Sequence, residues 1–220
     1  MIRPEACWKL IPGGFKGNRV YEKAIKKFVS TSSTSLFIEI GSLMGQSTCF
    51  MSNSLMSRNI TTVDFDVIDY WASSHVKRSD ISFDWLPSDQ REVALKFGKG
   101  EMSMAWHHFM LKTNSWEMIN KVFHGSSTDA NIVNQYKDAS VDFIYLDTAH
   151  DARITTQELD LWWPKLKRHG LLCGDDYYST SESEPNIALK NYAMVINSWF
   201  SEKGFNVKYE GQLQFCVTKN

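Results

Sequence analysis

The 220-residue chain has only four cysteines, and no two of them form a C-x-x-C pair. That argues against a zinc site of the usual spacing. It also argues against a disulfide framework, which small secreted domains need and a chain of this length does not. Cys7, Cys49, Cys173 and Cys216 therefore read as reduced thiols in a cytoplasmic protein. Cys49 and Cys173 sit in apolar runs and read as core residues. An excess of charge is also lacking, since 24 Lys and Arg stand against 25 Asp and Glu. That balance disfavours nucleic acid or an anionic membrane as a partner. No apolar run approaches a membrane span, and the N-terminal MIRPEACWKLIPGGFKG has no signal-peptide core. Repeats and low-complexity tracts are absent.

What is present suits one domain over 1–220: 43% hydrophobic and 22% charged residues can build a sizeable core. VYEKAIKKFV carries apolar residues at helical spacing, and TSSTS after it is a polar turn. LFIEI (36–40) is a short apolar run stopped by Gly41, which predicts a buried strand, and a helical pattern follows over 46–56. Further strands are predicted at 59–66, 119–127, 141–147 and 170–176, and a closing hairpin over 205–219 turns at Glu210-Gly211. An apolar helix face runs from Ile187 to Phe200. Between 141–147 and 170–176, Leu159, Trp162 and Leu166 make one helix face, with a kink at Pro164 and a stop at Gly170. Strands alternating with helices predict an α/β fold: a Rossmann-like, doubly wound, mostly parallel seven-stranded sheet with an antiparallel C-terminal hairpin. Residues 67–118 are too long for an ordinary connection and read as a partly helical insertion or lid.

Ligands of such sheets bind beyond the carboxyl ends of the strands. Glu39, Asp64, Asp147, Asp175 and Asp176 are expected there. In FIEIGSLMGQST the glycines are Gly41 and Gly45, and Leu43 stands where a dinucleotide fingerprint needs glycine. No lysine follows, so a P-loop is excluded as well. The loop lets a ligand approach the backbone and offers an anion, Glu39, instead of a phosphate cradle. That combination suits a ligand with positive charge.

The segment from about Phe37 to Tyr178 resembles class I S-adenosylmethionine-dependent methyltransferases. The resemblance is most specific in VDFIYLDTAHDARITTQELDLWWPKLKRHGLLCGDDYY. There an aspartate-x-x-histidine is followed by a tryptophan-rich helix, a glycine and an acidic pair. It implies that Glu39, Gly41, Ser42, Gly45 and Ser47 lie against the amino-acid end of the cofactor. It places Asp64 on the ribose hydroxyls, with Asp66 as competitor, and Ser127 or Ser126 at the adenine; either serine could instead cap the helix near Thr128. The resemblance gives Asp147 a part in both cofactor binding and catalysis. Sugar O-methyltransferases of this type use His150 as base and would hold Mg²⁺ through Asp147, Asp175 and Asp176; metal-free relatives leave the second reading open. The pair here is Asp-Asp where the family often has Glu-Asp.

The chemistry fits those residue types. Methyl transfer to an alcohol needs alignment, plus a base or a metal that lowers the hydroxyl pKa. The implied acceptor is a small molecule or a sugar hydroxyl. Two other readings stay open: a non-catalytic nucleoside-binding module, and a metal-dependent hydroxylase. A single histidine beside the acids counts against the hydroxylase. Edge strands or the N-terminal helix could pair two copies in a homodimer.

Overall fold

Apolar runs of five or six residues become parallel strands when helices cover both faces of the sheet. The computed structural model describes residues 8, 11, 13–15, 18–30, 33–70, 88, 91–92, 118–148, 150–178, 187–211 and 213–220. Its strands are β1 (Ser35–Ile40), β2 (Val63–Asp69), β3 (Lys121–His124), β4 (Val141–Leu146), β5 (Leu166–Gly174), β6 (Lys208–Gly211) and β7 (Gln214–Thr218). Its helices are α1 (Asn18–Phe28), α2 (Gln46–Ser57), the short α3 (Ala130–Val133), α4 (Ala152–Trp162) and α5 (Ile187–Glu202). The sheet order is β3-β2-β1-β4-β5-β7-β6. The first five strands are parallel, and β7 runs against both of its neighbours. Strand order reverses between β1 and β4, which makes their exits the switch point.

Strand alternation sorts the core into two layers. Phe37, Phe65, Val67, Phe143, Tyr145, Leu171 and Cys173 pack with Tyr21, Ala24, Cys49 and Leu55 of α1 and α2. Ile38, Ile40, Ile68, Ile144, Leu146 and Leu172 pack with Leu159, Trp162, Tyr192 and Ile196 of α4 and α5. The site lies at the edge where these layers meet the strand exits.

Four expectations change. The second strand spans 63–69, not 59–66, so Asp69 ends it and Val67 to Asp69 do not belong to the insertion. The rest of that insertion, save 70, 88, 91–92 and 118, lies outside the described residues, with His75, His107 and His108. The helix after β4 stops at Trp162 rather than kinking at Pro164. Leu166 opens β5, and Gly170 lies inside that strand. The physical cause is proline, which has no N–H to continue a helix. The C-terminal turn falls after Gly211, with Leu213 at φ +64, so Glu210 and Gly211 belong to β6.

The fourth change concerns the thiols. Cys173 and Cys216 face each other across β5 and β7 and are joined as a disulfide, with Cα atoms 4.1 Å apart. They stand 43 positions apart in the chain, and only strand register brings them together. Cys49 remains a buried thiol. Among the described residues, no helix is long and apolar enough to cross a membrane.

Candidate active site

The loops after β1 and β4 touch through their backbones. Ile40 pairs with Leu146, and the Asp147 amide donates to the Ile40 carbonyl at 2.8 Å. Gly41 follows at φ +91, where a Cβ would sit 1.8 Å from the Asp147 carbonyl oxygen. Any side chain there would drive the two loops apart, so glycine is required. Gly45, at φ +83, turns the chain into α2, and no side chain caps that helix. The segment before α1 closes over this turn: Phe15 N donates to Gln46 Oε1 at 2.8 Å and Gln46 Nε2 donates to the Ile11 carbonyl at 2.9 Å.

Glu39 is fully buried beneath the loop. The Ser47 hydroxyl donates to its Oε1. Its Oε2 has no hydrogen-bond partner among the described residues. Burial pushes this carboxyl up to about 8; the Asp147 and Asp69 charges add to the effect, against hydrogen bonds from Ser47 and Thr48. Tyr21 reaches in from α1, also fully buried. Burial, then the charges of Glu39 and Asp147, hold its phenol well above the usual range. An unpaired dry carboxylate oxygen costs on the order of 1–3 kcal/mol or more unless something supplies a donor.

Asp69 ends β2 beside this loop. The Ser42 and Leu43 amides donate to its Oδ2 at 2.6 and 2.7 Å. The Ser42 hydroxyl turns inward instead, 2.7 Å from Thr48 Oγ1. Asp64 is exposed near the start of the same strand, opposite Leu36. Five residues of strand, about 16 Å at the usual rise, separate it from the exit. Asp64 is therefore corrected as the strand-end acid, and Asp69 takes that place. Asp66, the competitor, is buried and accepts from Tyr136 Oη and Asn120 Nδ2, both at 2.9 Å.

Beyond β4, His150 stands between two carboxylates. Its Nε2 lies 3.5 Å from Asp147 Oδ1 and its Nδ1 lies 3.5 Å from Asp176 Oδ2. These are ion-pair contacts, long for hydrogen bonds. Burial by itself would lower the imidazole pKa; Asp147, Asp176 and Asp175 outweigh that and raise it. His150 and Asp176 both take left-handed backbone, at φ +54 and +52. Strain of that kind in non-glycine residues collects at functional sites. Tyr192 of α5 packs edge-on against the imidazole, ring centroids 4.7 Å apart, and its buried hydroxyl has no hydrogen-bond partner among the described residues.

The acidic pair splits. Asp176 faces His150, whereas Asp175 turns inward and is 8% exposed. Tyr145 Oη donates to Asp175 Oδ2 at 3.1 Å and itself accepts from Gln214 Nε2 at 3.1 Å. Burial and the neighbouring Asp147 and Asp176 charges push the Asp175 carboxyl up to about 8. Among the described residues, the group able to hold a metal ion is Asp147, His150 and Asp176, whose donor atoms lie within 4.8 Å of one another. Within the expected set of Asp147, Asp175 and Asp176, Asp147 and Asp176 flank His150, while the Asp175 carboxylate, just past the end of β5, is engaged by the Tyr145 hydroxyl.

A family profile described as a methyltransferase domain matches residues 38–177. The chain belongs to this methyltransferase family. The match spans every strand-end residue described above, from Glu39 to Asp176, and makes the protein an S-adenosylmethionine-dependent methyltransferase of class I. No curated protein matches it in sequence. Solved structures do match in fold. A protein from Corynebacterium glutamicum superposes with a TM-score of 0.57 at 12% identity, over 97% of this chain and 85% of that one. The O-methyltransferase NovP gives 0.61 at 10% identity, over 91% and 78%. Cofactor-bound Rv0187 from MTB gives 0.55 at 10% identity, over 96% and 84%. At such identities the likeness is one of fold.

In the methyltransferase, the loop after β3 differs from expectation. Asp129 caps α3 by accepting from Asn131 N at 2.8 Å, so neither Ser126 nor Ser127 is the cap. Ser126 Oγ lies 2.9 Å from Thr128 Oγ1. The Ser127 hydroxyl donates to Glu158 of α4. Sequence reasoning missed Asp69 and Glu158. The apolar pair Val67-Ile68, which carries the strand past Asp66, was a usable signal for the first. Glu158 carried none, since a glutamate in a helix ordinarily faces solvent.

Proposed function

We propose that this methyltransferase acts on a hydroxyl group of a small molecule or sugar. The observation that carries the reading is the contact between the Gly41 and Asp147 backbones, which sets the sealed Glu39 carboxylate beside the Asp147, His150 and Asp176 cluster. The likeness in fold to the O-methyltransferase NovP supports it. S-adenosylmethionine supplies a methyl carbon bound to sulfonium. The residues fit that molecule: Glu39 Oε2, buried and with no hydrogen-bond partner among the described residues, suits its ammonium. Asp69, at the strand exit, suits the ribose diol, because a carboxylate accepts several hydrogen bonds. His150, held between two carboxylates, takes the acceptor proton as the oxygen becomes nucleophilic. Asp147 orients the imidazole and stabilises its charged form.

The same cluster fits a divalent cation. Two carboxylates and an imidazole from Asp147, His150 and Asp176 would hold it, and it would lower the pKa of an acceptor hydroxyl. His150 would then be a ligand and not the base. A calorimetric titration with S-adenosylhomocysteine, with Mg²⁺ and then with chelator, tests the reading. Micromolar binding in both conditions is expected; none in either would overturn it. A methyl-transfer assay against a panel of sugars and phenols then decides the metal. Activity lost in chelator and restored by Mg²⁺ supports an ion at the cluster, and activity indifferent to chelator leaves the acceptor proton to His150 alone.

A further inference from the structure

Glu158 sits in the middle of α4 and is fully buried. Its Oε1 accepts from Ser127 Oγ in the loop after β3, and its Oε2 accepts from Thr148 Oγ1 at 2.9 Å in the loop after β4. One turn further on, Trp162 Nε1 donates to the Ser127 carbonyl at 2.8 Å. Residues 158 and 162 share a helix face at i, i+4, so α4 grips Ser127 by side chain and backbone together. The start of the same helix is fixed next to the imidazole: Asp151, directly after His150, caps it by accepting from Ile154 N at 3.0 Å. Burial raises the Glu158 carboxyl, against the two hydroxyl hydrogen bonds.

A leucine would fill this space without the desolvation cost of a carboxylate. What it could not do is accept from two hydroxyls on different loops at once. We propose that Glu158 is a positioning residue that ties the loop after β3 to the loop after β4. The loop after β3, where the resemblance to class I methyltransferases puts the adenine, and the His150 end are thereby set by one side chain. That assignment of the two ends rests on the methyl-transfer reading. Ser127 then serves the cofactor through Glu158 and not by touching the adenine.

The test is a set of variants read by S-adenosylhomocysteine affinity and by kcat. Glu158→Leu is expected to weaken binding at least 5-fold and to lower kcat at least 10-fold, with Glu158→Gln recovering both to within about 3-fold. The single arms should split: Thr148→Val lowers kcat more than affinity, and Ser127→Ala lowers affinity more than kcat. In the Glu158→Leu background, adding Ser127→Ala should change nothing further. A full additional loss there overturns the proposal, because Ser127 would be touching the cofactor itself. A Glu158→Leu protein with a lower Tm but wild-type affinity and kcat overturns it as well. If Glu158→Leu does not fold, the Gln variant and the two single arms decide between the same outcomes. If the wild-type chain binds no S-adenosylhomocysteine, the methyl-transfer reading falls alone. Hydrogen exchange then tests the tie: faster exchange in Thr148→Val at both 125–128 and 147–151 supports it, and faster exchange at only one loop overturns it.

Discussion

Glu39 and Asp147 stand at the exits of neighbouring strands, joined by one backbone contact, yet their surroundings differ. Glu39 is 0% exposed, braced by Ser47, and keeps one dry oxygen with no partner among the described residues. Asp147 has a side chain 30% exposed, and its companion Asp176 is 43% exposed. A sealed carboxyl that ionises against a bound ammonium suits a ligand whose charge and position do not change, since low dielectric strengthens the pairing and excludes water as a competitor. A half-open cluster suits a reaction that must admit acceptors and release a proton. The two halves thus divide holding from turnover, with Gly41 as the point of contact between them.

Breaking the open half should have the largest effect. His150→Ala is expected to lower kcat by about 10²–10⁴-fold, while affinity for S-adenosylhomocysteine stays within a few-fold; single-turnover rates and calorimetry separate the two. The sealed half should respond in the opposite sense. Glu39→Gln keeps a partner for Ser47 but removes the charge, and a loss of about 10–100-fold in S-adenosylhomocysteine affinity is expected from a charged hydrogen bond. Equal losses in binding from the two variants would erase the distinction.

A gentler probe is pH. The Glu39 carboxyl is pushed up to about 8 from an ordinary 4.5, so between those values the folded protein holds a proton that the unfolded chain has released. Without ligand, its contribution to stability therefore falls as pH rises from about 4.5 to 8. An ammonium ligand favours the ionised form, so binding below pH 8 releases a proton and affinity grows with pH, by at most about tenfold per unit. Calorimetry in buffers of different ionisation enthalpy reads that proton, and Glu39→Gln should abolish it. The smallest contrast lies on β2. Asp69→Asn is expected to weaken S-adenosylhomocysteine several-fold, and Asp64→Asn by less than about twofold; a larger effect at Asp64 would return the ribose contact to that residue.

How far each feature could be read depended on the range of the interaction behind it. LFIEI and VDFIYL announce buried strands through composition alone, and the spacing of Gly41 and Gly45 announces the turn. In VDFDVID acids stand at 64, 66 and 69, so the sequence offers three residues that could end the strand. Pairing with β1 selects Asp69 by matching Ile40 to Ile68. Glu158 was illegible because a polar helix position is normally solvated, and its partners lie 31 and 10 residues away. Cys173 and Cys216 were illegible for the same reason of distance along the chain.

By itself, then, the sequence determined the element types and the chemistry present at the strand exits: a glutamate under a glycine turn, and an imidazole among aspartates. These follow from local rules of periodicity, backbone conformation and side-chain acidity. Tertiary structure alone decided which acid ends β2, which aspartate of the pair faces His150, and which glutamate ties the loops. Register and burial make those choices, and both arise only when strands and helices distant in the chain pack against one another.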